Sequence, residues 1–116
     1  MRITVLGGCG AVGSIATAML ATTDVFSEIT IGDVNIEEAK KLASELGIEK
    51  ISAVRVDASN LDSIKKTIKG SSVVLNCIGP FYKFGPPVLR ATIDSGINYV
   101  DICDDFDATE KLLAMD

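Results

Sequence analysis

A glycine-rich turn between an apolar strand and an apolar helix constrains this chain more than any other stretch. Arg2-Ile3-Thr4-Val5-Leu6 reads as a strand and Ala11 to Ala21 as a helix. Between them, Gly8, Gly10 and Gly13 fit the spacing G-x-G-x-x-G, with Cys9, Ala11 and Val12 in the intervening places. Each glycine has a mechanical role. The first lets the backbone turn out of the strand, the second lets a pyrophosphate approach, and the third lets the helix pack against the sheet. Amides near Gly10 to Val12, backed by the positive end of the helix dipole, then face the phosphates. The bare motif is weak, and a tight turn with no ligand is the plainer alternative. The strand before, the helix after and Asp33 twenty residues beyond Gly13 make it a dinucleotide fingerprint.

The rest of the chain alternates strand and helix. Strands are expected at 28–33, 51–57, 72–78 and 97–102, the fourth almost wholly apolar, as a strand buried on both faces should be. Asn35 followed by Glu38 has capping-box spacing and opens a helix that Gly47 ends in a left-handed stop. Ser59 is expected to cap a helix through Lys69. Gly79 to Gly85 reads as an irregular stretch, with Pro86 and Pro87 starting a helix that stops at Gly96. A further helix is expected from about Ala108. Alternation of this kind predicts an α/β fold, a doubly wound parallel sheet of the Rossmann type with strand order 3-2-1-4-5. The whole of 1–116 is then one dinucleotide-binding domain. Its end falls where a sixth strand or second domain would begin, so the cofactor half of a longer enzyme is expected.

Composition narrows the function classes. A chain of 116 residues with 47% apolar and 23% charged side chains suits one globular domain. No apolar run approaches the roughly 18 residues of a membrane span, and no leader precedes the first strand, so a cytoplasmic location is expected. A net charge of −5 with scattered basic residues argues against nucleic acid. The chain has no histidine, which removes the usual neutral-pH base and the commonest metal ligand. Cys9, Cys77 and Cys103 are far apart with no C-x-x-C pair, so neither metal nor disulfide is expected. Packing explains them better than redox chemistry.

Ligands of such sheets lie beyond the carboxyl ends of the strands, where strand order reverses. Asp33 ends the second strand, where its carboxylate can accept both hydroxyls of the adenosine ribose. It would repel a 2′-phosphate, and Val34 and Asn35 add no cation. NAD is therefore expected ahead of NADP. Asp57 and Ala58 are weaker candidates at the adenine edge. Asn76, Cys77, Ile78, Gly79 and Pro80 end the fourth strand across the switch point, beside the nicotinamide ribose. Phe81 and Tyr82 would follow on a loop, covering the ligand or docking a second domain or subunit, with Lys83 as the basic side chain nearest the nicotinamide. Asp101, Asp104, Asp105 and Asp107 form an acidic cluster without calcium-loop spacing. Only Asp101 is kept as a cleft candidate, and no catalytic residue is assigned.

The stretches Val74-Leu75-Asn76-Cys77-Ile78-Gly79-Pro80-Phe81, Gly85, Ala91 to Gly96 and Tyr99-Val100-Asp101 resemble the amino-terminal domain of the saccharopine dehydrogenase family. Val56-Asp57-Ala58-Ser59 and the glycine turn fit as well. The resemblance implies a nicotinamide cofactor, chemistry at an amino-acid carbon–nitrogen bond, and substrate residues in a second domain. The isolated domain should then bind cofactor without turnover. NADP-using members place a basic residue after the second strand; Asp33-Val34-Asn35 is more similar to NAD-using lysine dehydrogenases of the superfamily. The rival reading is a regulatory nucleotide-binding module, like the ligand-sensing domains of potassium transport systems. Those share the glycine turn and ribose acid but not the Gly79-Pro80-Phe81 or Tyr99-Val100-Asp101 stretches.

Overall fold

The computed structural model describes residues 1–8, 10–78 and 81–101. Five strands, β1 (Arg2–Leu6), β2 (Glu28–Asp33), β3 (Ile51–Arg55), β4 (Val73–Asn76) and β5 (Asn98–Asp101), alternate with four helices. The helices are α1 (Ala11–Ala21), α2 (Ile36–Leu46), α3 (Leu61–Ile68) and α4 (Phe81–Asp94). All strand pairs are parallel and the order is β3-β2-β1-β4-β5, as the alternation predicts. Leu6 pairs with Gly32 on one side and Asn76 on the other, so β1 is the strand from which the order departs in both directions.

Successive strand residues face opposite sides, and each side has its own core. On one, Ile3, Val5, Ile29, Ile31 and Ile51 meet Ala21 of α1 and Ala39 of α2, with Leu42, Ala43 and Leu46 packed alongside. On the other, Leu6 and Val74 meet Ile64 and Ile68 of α3 and Val88 and Ala91 of α4. Helices α1 and α2 thus cover one face and α3 and α4 the other, the arrangement that lets a parallel sheet bury both sides.

Helix ends follow local chemistry. The Asn35 side chain accepts the Glu38 N–H at 3.2 Å, worth about 1 kcal/mol as a cap. Asn35's own N–H goes to Asp33 Oδ1 at 3.0 Å, so the expected box is closed by Asp33 instead of Glu38. Gly47 ends α2 with φ +62°. Gly96, at φ +68°, ends α4 in a Schellman turn, with Gly96 N–H to Ile93 O and Ile97 N–H to Thr92 O.

Several expected boundaries move. Strand β3 stops at Arg55 because the Asp57 N–H turns to Ser63 Oγ at 3.0 Å. Helix α3 is capped by Asn60, whose side chain accepts the Ser63 N–H, while Ser59 bonds back to Asp57. Strand β4 ends at Asn76, whose side chain takes the Ile78 N–H out of the ladder. Helix α4 starts at Phe81, so 81–85 are helical and both prolines lie inside the helix. Each proline withdraws a ladder N–H and crowds the carbonyl four residues earlier, yet the helix runs through both to Asp94. Gly79 and Pro80, and the helix expected from Ala108, lie outside the described residues. Among the described residues no helix is long and apolar enough to cross a membrane.

Candidate ligand site at the carboxyl ends of the strands

A crevice of about 300 Å³ opens at the ends of β1, β2 and β4, lined by Gly7, Gly10, Asp33, Val34, Val56, Cys77 and Ile78. Its floor is the glycine turn. The sharp bend is at Gly7, with φ +74°, and not at Gly8 as the motif spacing implies. A Cβ on Gly7 would sit 2.9 Å from the Cys77 carbonyl carbon and 3.0 Å from Ile78 N, so turn and β4 end are in backbone contact. Gly8 serves packing, since its Cβ would be 2.7 Å from Ile31 Cγ2. A Cβ on Gly13 would collide with the Gly7 carbonyl oxygen and come within 2.9 Å of Gly8 Cα. Gly10 differs from all three. Among the described residues a Cβ there would meet only Gly7 O, at 3.4 Å, so its Cα faces open space along the crevice.

Gly10 is also the N-cap of α1, without a side-chain cap bond and without an acid in the first turn. Helices α2 and α3 are both capped by asparagine and carry acids there. The Ser14 N–H is the first to bond within α1, to Gly10 O at 2.8 Å. The amides of Ala11, Val12 and Gly13 therefore have no intrahelical acceptor, and with the dipole behind them they form an anion seat.

Asp33, the last residue of β2, also lines the crevice, one carboxylate oxygen set by the Asn35 N–H. Val34 lines the wall and Asn35 caps α2. Arg55 is the ladder partner of Asp33, so a cation stands on the neighbouring strand although none follows Asp33 in sequence. Asp57 and Ala58 lie in the β3–α3 turn, outside the lining residues. The Ser59 hydroxyl, at 2.6 Å, and then the Ser59 N–H hold the Asp57 carboxyl below the usual range, with Arg55 adding to them. Its favourable contribution is present above the ordinary carboxylate pKa and fades as pH falls through the lowered value.

On the β4 side the Cys77 N–H donates to Leu6 O at 2.8 Å, and burial pushes the thiol pKa up. A thiol shifted that way is a poor nucleophile at neutral pH, in line with a packing role. Gly7 and Val56 complete the wall. Sequence reasoning passed over them because the motif counts from Gly8, and a buried valine carries no chemical signal. Cys9, Gly79, Pro80, Cys103, Asp104, Asp105 and Asp107 lie outside the described residues. Among the described residues no cluster of His, Cys, Asp or Glu could hold a metal ion.

With this geometry in place, residues 3–115 match the family described as saccharopine dehydrogenase NADP binding domain. The chain belongs to that family. A saccharopine dehydrogenase-like oxidoreductase of Rattus norvegicus is 40% identical over 62 residues, covering 53% of this chain and 13% of the relative. Its Mus musculus counterpart is 28% identical over 116 residues, covering 88% and 27%. Apo saccharopine dehydrogenase (L-Glu forming) from Saccharomyces cerevisiae shares the fold at a TM-score of 0.79 and 23% identity, covering 96% of this chain and 23% of that one. The chain thus spans about a quarter or less of the length of these relatives. The match falls on the saccharopine dehydrogenase side of the two resemblances drawn from sequence, and not on the potassium-transport side.

Proposed function

We propose that this domain binds a nicotinamide dinucleotide in the crevice and serves as the cofactor domain of an oxidoreductase acting on an amino-acid carbon–nitrogen bond. One observation carries the binding reading: α1, which has no side-chain cap, opens at Gly10 onto the crevice that Asp33 also lines. The pyrophosphate would take the amides of Ala11, Val12 and Gly13, and Asp33 the adenosine ribose hydroxyls. Across the switch point, the backbone at Cys77 and Ile78 would border the nicotinamide half. The cofactor supplies the hydride chemistry; the chain binds and orients it. The carbon–nitrogen chemistry rests on the family and its named relatives. Substrate residues, and a second domain or subunit against Phe81 and Tyr82, belong to the same proposal, as does a cytoplasmic location.

The reading places NAD ahead of NADP. The Asp33 carboxylate suits two hydroxyls and repels a 2′-phosphate, and Arg55 on the neighbouring strand softens that repulsion without removing it. The family description, which is of NADP binding, pulls the other way. Calorimetric titration with NADH and NADPH decides: NADH should bind about tenfold tighter, about 1.4 kcal/mol. Equal or tighter NADPH binding overturns the preference. The isolated chain should oxidise neither saccharopine nor lysine with NAD, and substantial turnover would show the chemistry to be misplaced.

A further inference from the structure

Asn76 is a fully buried amide at the end of an otherwise apolar strand, where burying a polar group costs free energy unless it is bonded. Both ends of it are bonded. Its Oδ1 accepts the Ile78 N–H at 3.0 Å, and its Nδ2 donates to the Tyr99 hydroxyl on β5 at 3.1 Å. The first bond bends the chain out of the β4 ladder just where Cys77 and Ile78 become the crevice wall. The second ties that bend to a tyrosine packed in the α3–α4 core. The same backbone is what the Gly7 turn rests against.

We infer that Asn76, braced by Tyr99, is a positioning residue that fixes the Cys77–Ile78 backbone for the nicotinamide half of the ligand. The inference rests on the dinucleotide reading above. It separates the two halves of the ligand: the Asn76 side chain bonds the Ile78 N–H of the β4 wall and the Tyr99 hydroxyl, not the amides of the anion seat or the Asp33 carboxylate. Removing the amide frees the Ile78 N–H and lets the wall shift. Contacts to the nicotinamide half then weaken while those to the adenosine diphosphate half stay.

The test is the ratio of NADH to ADP affinity, by calorimetry on the whole chain. Asn76→Ala should weaken NADH about tenfold and leave ADP within about twofold of the wild type. Asn76→Ser, whose hydroxyl can accept the Ile78 N–H more weakly, should restore part of the loss. Tyr99→Phe keeps the ring in the core and removes only the hydroxyl, so it serves if Asn76→Ala does not fold; about a threefold loss confined to NADH is expected. Equal losses for both ligands, or none for NADH, overturn the positioning role. A wild type that binds neither NADH nor ADP overturns the dinucleotide reading itself, and the inference with it.

Discussion

Two strand-to-helix turns at the same edge of the sheet are built by opposite means. The β3–α3 turn is made of side chains. Asp57 accepts the Ser59 hydroxyl and N–H, the Asp57 N–H bonds Ser63 Oγ, and Asn60 caps the helix through the Ser63 N–H. The β1–α1 turn is made of missing side chains. Gly7 and Gly13 press backbone against backbone, Gly8 sits against the Ile31 side chain, and Gly10 leaves the helix end uncapped. One helix terminus has a side-chain cap on its Ser63 N–H, and the other, without a cap, holds its amides out to the crevice. That difference, more than the glycine spacing, marks the place for an anion. Changes in the β1–α1 turn should register in folding or binding, and changes in the β3–α3 turn in stability alone.

The strongest break is Gly13→Ala. Its methyl has no room beside the Gly7 carbonyl, and the clash is with backbone, which cannot swing aside. A loss of about 3 kcal/mol is expected, read as a lower denaturation midpoint or as failure to accumulate folded protein. A Gly13→Ala protein as stable as the wild type would mean that the turn is looser than described.

Gly10→Ala separates binding from folding. The added methyl meets only Gly7 O at 3.4 Å and otherwise enters the crevice. Nucleotide affinity should fall about tenfold, about 1.4 kcal/mol, while the thermal midpoint without ligand changes little. Unchanged affinity would remove the phosphates from this turn.

The two turns also differ in how legible they were. The strand, the glycine spacing, the α1 limits and Asp33 were all readable, because local pattern and backbone sterics fix them. Which residue of the Gly7-Gly8 pair bends was not, since either glycine can take positive φ and Ile31, which confines Gly8, is remote in sequence. The β3–α3 turn was misread by one residue: Ser59 and Asn60 are both good caps, and the choice depends on Asp57 taking the serine. Pro86 and Pro87 misplaced the start of α4, because proline favours a first turn without requiring one. The role of Asn76 depends on Tyr99, which no local pattern announces.

Smaller effects sharpen the contrast. Asn60→Ala deletes the α3 cap and should cost about 1 kcal/mol in stability with nucleotide affinity unchanged; a comparable loss of affinity would mean that the β3–α3 turn also carries ligand. The smallest change is expected for Ser59→Ala. Losing the hydroxyl that dominates the Asp57 environment should raise the Asp57 pKa toward its ordinary value. The stability that Asp57 contributes above the ordinary carboxylate pKa should then shrink, and with it the acid-side loss that falls between the ordinary and the lowered value. Carboxyl-carbon NMR titration reads this directly, and an unmoved Asp57 would show that Ser59 does not hold it.

The central claim is that one dinucleotide lies across β1 from the uncapped α1 to the β2 and β4 ends. Amide NMR of the chain titrated with NADH tests it most directly. The account predicts saturable shifts concentrated at Gly10 to Gly13, Asp33, Val34, Cys77 and Ile78, with Ser59 to Ser63 little affected. Shifts centred on the β3–α3 turn, or none at millimolar NADH, would contradict it.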